Sequence, residues 1–284
     1  MSAYRFCRTD DIGLLVDALN RCWAPYFPGQ PPATTASFKR SIRDLQVWCS
    51  SSMVAFSGSD PIGVLIGAKR PSATLVHKIA VHPDHRRQGH GRHLLTSLSS
   101  KLAILGPPRI VAEVPETLAA ARELFSASGY VQEAALTDFV LEEPERGDAA
   151  RVEGLVIPIT IDDLAANDLL VGAHPQVCWE RSVETLVARK NEIAGLAVAS
   201  DERIEAYLLY VNGGEETEIV SLRSFIDDGG VRLKQLLSQL RARGMNRIRF
   251  PKVHPLEISK AWLDTLGFNS AGGHLLYAAT ARSA

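Results

Sequence analysis

Two periods of apolar and polar positions alternate along this chain, and the switches between them mark its elements. "YRFCRTDDIGLLVDALNRCW" begins as a short strand and passes Asp10 and Asp11, residues of the type that cap helices. It then sets Ile12, Leu15, Val16 and Leu19 on one helical face. A loop rich in proline and aromatics follows, "APYFPGQPPATT", and a second helix is predicted from about Ser37. "MVAFSGSDPIGVLIGAKR" reads as a hairpin, two apolar strands around a Ser-Gly-Ser-Asp-Pro turn. "VHKIAVHPDHRRQGHGRHLLTSL" gives a strand, a loop containing Gly89 and Gly91, and a helix that carries Leu94, Leu95, Leu98 and Leu102 before Gly106 stops it. "RIVAEV" is another strand, and "TLAAARELFSASGY" a helix ending at Gly129.

The pattern then recurs. At an offset of 138 residues, Leu98, Leu102, Gly106, Leu118 and Gly129 fall on Leu236, Leu240, Gly244, Leu256 and Gly267. Upstream, "SDPIGVLIGA" resembles "SDERIEAYLLY" at an offset of 142. Two tandem copies of one fold are the economical account, and 284 residues suit two ordinary domains. The charged stretch "EEPERGDAAR" (142–151) is the expected boundary, giving domains 1–142 and 152–284. The expected fold class is α/β, in the α+β sense of a mixed sheet with helices.

Charge narrows the partners. The chain holds 31 Lys and Arg against 32 Asp and Glu, a formal charge of −1, which lacks the basic excess of a duplex binder. A basic cluster inside a neutral chain points to a small anionic ligand rather than nucleic acid. Cys7, Cys22, Cys49 and Cys178 are scattered, with no CxxC pair, as suits a reducing compartment. No signal-peptide pattern opens the sequence, and no run of about 18 apolar residues would span a membrane. A cytoplasmic protein with no membrane partner is expected.

The cluster is the loop after the fourth predicted strand. A strand, a glycine loop and a helix N-terminus together present unsatisfied N–H groups and a partial positive charge to an anion. Gly89 and Gly91 let the backbone approach a ligand closely, and Arg86, Arg87 and Arg92 add charge at the rim. The loop lacks the three glycines of a dinucleotide fingerprint and the GKS or GKT of a P-loop. His82, His85, His90 and His93 match no metal-ligand spacing, so rim-lining is favoured over a metal site and no metal is expected.

"RRQGHG", preceded by "IAVHPDHR" and followed later by "AAARELFSASGY", resembles the R/Q-x-x-G-x-G/A signature of the GNAT N-acetyltransferase superfamily. That resemblance implies a tandem pair of GNAT-like domains and an acyl-CoA, most simply acetyl-CoA, as cosubstrate. The amides around Arg86, Arg87, Gln88, Gly89, His90, Gly91 and Arg92 would bind its pyrophosphate. The strand residues Ile79, Ala80 and Val81 would pair with its pantetheine arm. The loop holding Trp23, Tyr26 and Phe27 would line the acceptor site, though these aromatics equally suit anchoring that loop to its own domain.

Amine acylation needs a base, because only the neutral amine attacks a thioester. His77 is the candidate, resembling the histidine of arylalkylamine acetyltransferases in the superfamily; a hydrogen-bonded core histidine is the rival reading. Glu113 is a second candidate, with a surface carboxylate as its alternative. The family's usual acid, a tyrosine in the later helix, is Phe125 here, and the pattern's asparagine is Leu118. In the second copy the repeat offset puts Ser224, Asp227 and Gly229 opposite Arg86, Gly89 and Gly91, and Asp227 with Asp228 would repel a pyrophosphate. The expectation is an N-acetyltransferase for a small amine, working through its first domain beside a degenerate second. The alternative is a non-catalytic acyl-CoA sensor.

Overall fold

The computed structural model describes residues 2–142, 155–170 and 177–282, so all but the first residue of the expected boundary segment 142–151 lies outside the described residues. The chain forms two compact units, Met1–Ala134 with Leu275–Ala284, and Ala135–His274. This division differs from the expected 1–142 and 152–284. The junction falls inside a strand, and the chain's last residues count with the first unit.

The first unit runs β1 (Ser2–Phe6), α1 (Ile12–Cys22), a 3-10 turn (Ala24–Tyr26), α2 (Thr35–Leu45), β2 (Val47–Ser57), β3 (Asp60–Lys69), β4 (Thr74–Val81), a 3-10 turn (Pro83–His85), α3 (His90–Leu105), β5 (Arg109–Pro115), α4 (Ala119–Ala127) and the start of β6 (Val131–Leu141). The second runs β7 (Leu155–Pro158), α5 (Ile161–Ala166), a 3-10 turn (Trp179–Arg181), α6 (Val183–Ala188), β8 (Ala194–Ala199), β9 (Ile204–Asn212), β10 (Thr217–Ser224), α7 (Val231–Ala242), β11 (Ile248–Val253), α8 (Lys260–Thr265) and β12 (Asn269–Thr280). Among the described residues, no helix is long and apolar enough to cross a membrane.

In the first unit β1, β2, β3 and β4 pair antiparallel in order, and β4 pairs parallel with β5. Leu94, Leu95, Leu98 and Leu102 project from α3 onto Met53, Leu65 and Ile110, as the helical spacing predicts. The second unit repeats this plan, with β7, β8, β9 and β10 antiparallel and β10 parallel to β11. Leu233, Leu236, Leu237 and Leu240 of α7 form its core with Leu208, Ile219 and Phe250.

Helix α2 starts two residues before the predicted Ser37 because Thr34 caps it. The Thr34 hydroxyl accepts from the Ser37 amide, and the Ser37 hydroxyl accepts from the Thr34 amide. Such a cap contributes about 1 kcal/mol and outweighs a periodicity that only begins at Phe38.

Each unit finishes its sheet with distant chain. In the first, the end of β12 lies beside β5, Ala281 donates its amide to the Pro108 carbonyl at 2.6 Å, and Tyr277 stacks on Phe125. In the second, the later part of β6 pairs with β11, setting Phe139 opposite Phe250.

Candidate functional site

The site begins with a break in strand pairing. β4 matches β5 at only two positions, Thr74 with Ile110 and Leu75 with Val111. β4 continues to Val81 along β3, so from Val76 onward its other edge has left β5. The β3–β4 register also slips, Ile66 facing Lys78 and Gly67 facing Val76, which leaves His77 as a bulged residue. A bulge re-aims side chains and bends the strand. The alternation that would put His77 on one face with Ile79 and Val81 is therefore broken at His77 itself.

Beyond β4 the chain turns through Pro83–His85, and Gly89 caps α3 with φ +85°, a conformation open to glycine. The first bond of the helix runs from the His93 amide to the Gly89 carbonyl. Among the described residues, the backbone N–H groups from Arg87 to Arg92 have no acceptor. They are the orphan donors of a helix start, gathered by the glycine turn into one concave row. Gly91 sits against α4, where a Cβ would come within 3.0 Å of the Leu124 side chain.

Two contacts hold this loop. The Tyr4 hydroxyl and His90 Nδ1 lie 2.6 Å apart, and Tyr4 also packs on the His93 ring at 3.8 Å between centroids. His90 is 5% exposed; burial first, and then His85 and His93, push its pKa below the ordinary histidine value. It is accordingly neutral at pH 7. Arg92 donates to the Ala127 carbonyl at 2.9 Å, tying the start of α3 to the end of α4. Arg87 lies 3.7 Å from Glu123 on α4.

A cavity of about 670 Å³ opens over the row of amides. Its wall includes Ile79, Ala80 and Val81 of β4, Arg86, Arg87, Gly89, His90, Gly91 and Arg92 of the loop, and Trp23, Tyr26 and Phe27 of the α1–α2 connection. The structure brings these predicted residues together. His77 and Glu113 are not part of that wall; both are half-buried, on β4 and β5. Gln88, between wall residues, supplies its amide to the row without its side chain.

The aromatic segment is both wall and anchor. Trp23 stacks on Phe27 at 4.6 Å, Lys78 Nζ lies 5.2 Å from the Trp23 ring, and Arg86 lies 5.3 Å from the Tyr26 ring. The Tyr26 hydroxyl donates to the Val81 carbonyl at 2.6 Å, and burial raises its pKa first of all. Trp23 Nε1 is a buried donor with no partner among the described residues. Phe125 is 2% exposed and packs edge-on against Tyr130, so the position of the family's tyrosine is core here.

Sequence reasoning missed the far wall of the cavity, where Leu118, Ala120, Leu124 and Ala127 face it from α4 and the residue before it. Their i, i+4, i+7 spacing from Ala120 was the available signal. It also missed Tyr4, whose contact with His90 spans 86 residues of chain. Among the described residues, no group of three His, Cys, Asp or Glu side chains is placed to hold a metal ion.

The second unit keeps the scaffold and changes the seat. β10 meets β11 at Thr217–Ile248 and Glu218–Arg249 before leaving it, and its register against β9 slips around Val220. That bulge corresponds to the one at His77. Helix α7 is capped by Gly230 at φ +84°, so Gly230, and not Asp227, is the counterpart of Gly89. Asp228 Oδ1 accepts from the Gly230 amide and Oδ2 from the Arg232 amide, each at 2.9 Å. Burial pushes the Asp228 carboxyl up, but the Arg232 amide and guanidinium and the Gly230 amide outweigh it, leaving its pKa below the ordinary value. A carboxylate of the chain itself fills the place of an external anion.

The family model described as Acetyltransferase (GNAT) family matches residues 15–130. A comparison with curated protein sequences finds no match. Among solved structures, the chain is similar to a tandem GNAT protein from the clavulanic acid biosynthesis pathway, at 18% identity and a TM-score of 0.66 over 100% of both chains. It is similar to a GCN5-related N-acetyltransferase from Sphaerobacter thermophilus at 14% identity and a TM-score of 0.68, over 99% of this chain and 96% of that one. A GCN5-related N-acetyltransferase from Kribbella flavida matches 99% of this chain with 71% of its own, at 12% identity and a TM-score of 0.67. Residues 15–130, with the glycine loop and the parted strands at their centre, thus match the GNAT acetyltransferase family model, in a chain that shares its fold throughout with a tandem GNAT protein.

Proposed function

We propose that the first unit is an N-acetyltransferase that moves an acetyl group from acetyl-CoA directly to the amino group of a small molecule. The observation that carries this reading is the row of unpartnered amides from Arg87 to Arg92, set in a cavity beside a strand edge that β5 has left. A pyrophosphate suits those amides, and an amide-bearing arm suits the edge at Ile79, Ala80 and Val81 that β5 has left, where the Tyr26 hydroxyl already takes the Val81 carbonyl. Arg86 and Arg87 contribute positive charge to the same wall.

The acceptor amine lies on Trp23, Tyr26 and Phe27. His77, which lies outside the cavity wall, takes its proton through one intervening water as general base, with Glu113 as the second candidate. The neutral nitrogen attacks the thioester carbonyl, a C–N bond forms, and the C–S bond breaks. Phe125 has no proton to give and the Tyr26 hydroxyl is committed to Val81, so water carries the surplus proton of the acylated nitrogen to the leaving thiolate. The same two facts favour a second reading, an acyl-CoA-binding module without turnover. A cytoplasmic setting accords with four cysteines that are all buried.

Thiol release from acetyl-CoA across a panel of small amines tests both readings. Amine-dependent release, lowered in kcat roughly a hundredfold by His77→Gln with acetyl-CoA affinity unchanged, supports the enzyme. Binding of acetyl-CoA with no release for any amine supports the module.

A further inference from the structure

A second cavity, of about 200 Å³, lies within the second unit, among β10, α6, α8 and the Trp179–Arg181 turn. It is below the usual size of a site for a drug-sized ligand and far too small for a coenzyme A. Two arginines and one carboxylate line it. Arg181, 2% exposed, donates from Nη1 and Nη2 to the two oxygens of Glu257 at 2.6 Å each, and from Nη2 to the Lys252 carbonyl at 3.0 Å. That pair is neutral and committed to itself. Arg223 differs, since no carboxylate lies within ion-pair distance of it among the described residues. Its guanidinium lies 5.1 Å from the Phe225 ring and beside the Tyr207 hydroxyl, with Ser221 and Ser224 in the same wall. The rest is mainly apolar, with Val183, Leu186, Leu222, Ile258 and Trp262.

We propose that this cavity binds a small monocarboxylate with an apolar body, the carboxylate on Arg223 and the body against Val183, Leu186, Ile258 and Trp262. The wall carries one uncompensated positive charge. A guanidinium offers two parallel donors that match the two oxygens of a carboxylate. A cation would be repelled by Arg223, and a neutral ligand would leave its charge unmatched in a partly dry pocket. A phosphate dianion would bring two charges to one. This site is independent of acetyl-CoA and goes beyond the reaction proposed above.

Calorimetric titration of the full chain with isovalerate and with benzoate, against isovaleramide, benzamide and sulfate, tests it. The carboxylates are expected to bind, and the amides and sulfate not to. Arg223→Gln should abolish carboxylate binding while acetyl-CoA binding persists; Arg223→Lys, which keeps charge but loses the fork, should weaken it about tenfold. Should Arg223→Gln fail to fold, Val183→Phe fills the cavity with Arg223 in place and should abolish binding by itself. No binding of either carboxylate, equal binding of amide or sulfate, or binding undiminished in Arg223→Gln would overturn the proposal.

Discussion

Gly89 holds φ +85° at the turn into α3, with open space where a Cβ would go. The cost of a side chain there is therefore conformational, about 1–2 kcal/mol for an L-residue in that region. Gly89→Ala should weaken acetyl-CoA binding roughly tenfold by calorimetry, as the loop either bears the strain or leaves its row. Gly91 presents the opposite case, ordinary backbone in tight quarters, where a Cβ meets only the end of the Leu124 side chain. Gly91→Ala should cost less than Gly89→Ala in the same titration. His90 adds a pH dependence with a definite sign. Its folded pKa is lowered, so below the ordinary value of about 6.5 the unfolded chain takes up a proton that the folded one refuses. The stability of the first unit should fall as pH drops through that window, and His90→Gln should flatten the slope in thermal unfolding followed against pH.

Elements were legible where they are local. The glycine loop, the leucine face of α3 and the hairpin of β2 and β3 follow from spacings of a few residues, and they stand where the pattern puts them. The bulge at His77 was not legible, because it exists only in the register of β4 against β3. Nor was the seat in the second copy. A fixed offset carried through a loop of different length paired Gly89 with Asp227, whereas the helix start pairs it with Gly230. At that helix start Asp228 accepts from the backbone with both its oxygens. Asp228→Ala should destabilise the second unit by about 1 kcal/mol, the usual cost of a lost cap, as read by its denaturation midpoint. The stability lost is that of a carboxyl with a lowered pKa, present above the ordinary value near 3.9 and fading as pH falls through the folded one.

On the scale of the whole molecule, the tandem repeat was readable from leucines and glycines at one offset, but the ownership of the last strands was not. Residues 275–284 carry little that distinguishes them from any closing strand, yet Leu275 and Tyr277 are buried in the first unit's core. Removing an aromatic from such a core costs about 3–5 kcal/mol, a large share of a domain's stability. A chain ending at Phe268 should therefore lose acetyl-CoA binding and the first unit's thermal transition, although every residue of the glycine loop is present. Tyr277→Ala should shift that transition in the same direction by a smaller amount.

The exchange of closing strands also sets an order in time. A ribosome adds about 5–20 residues per second, and domains ordinarily fold as they emerge. Here the residues of the first unit that are synthesised early wait for Leu275 and Tyr277 before their core is complete. A premature stop before the codon for Leu275 would thus silence a site encoded well upstream of it. The same dependence explains why a copy whose seat is filled by its own carboxylate is not free to be lost: deleting it would remove the strand that its twin requires.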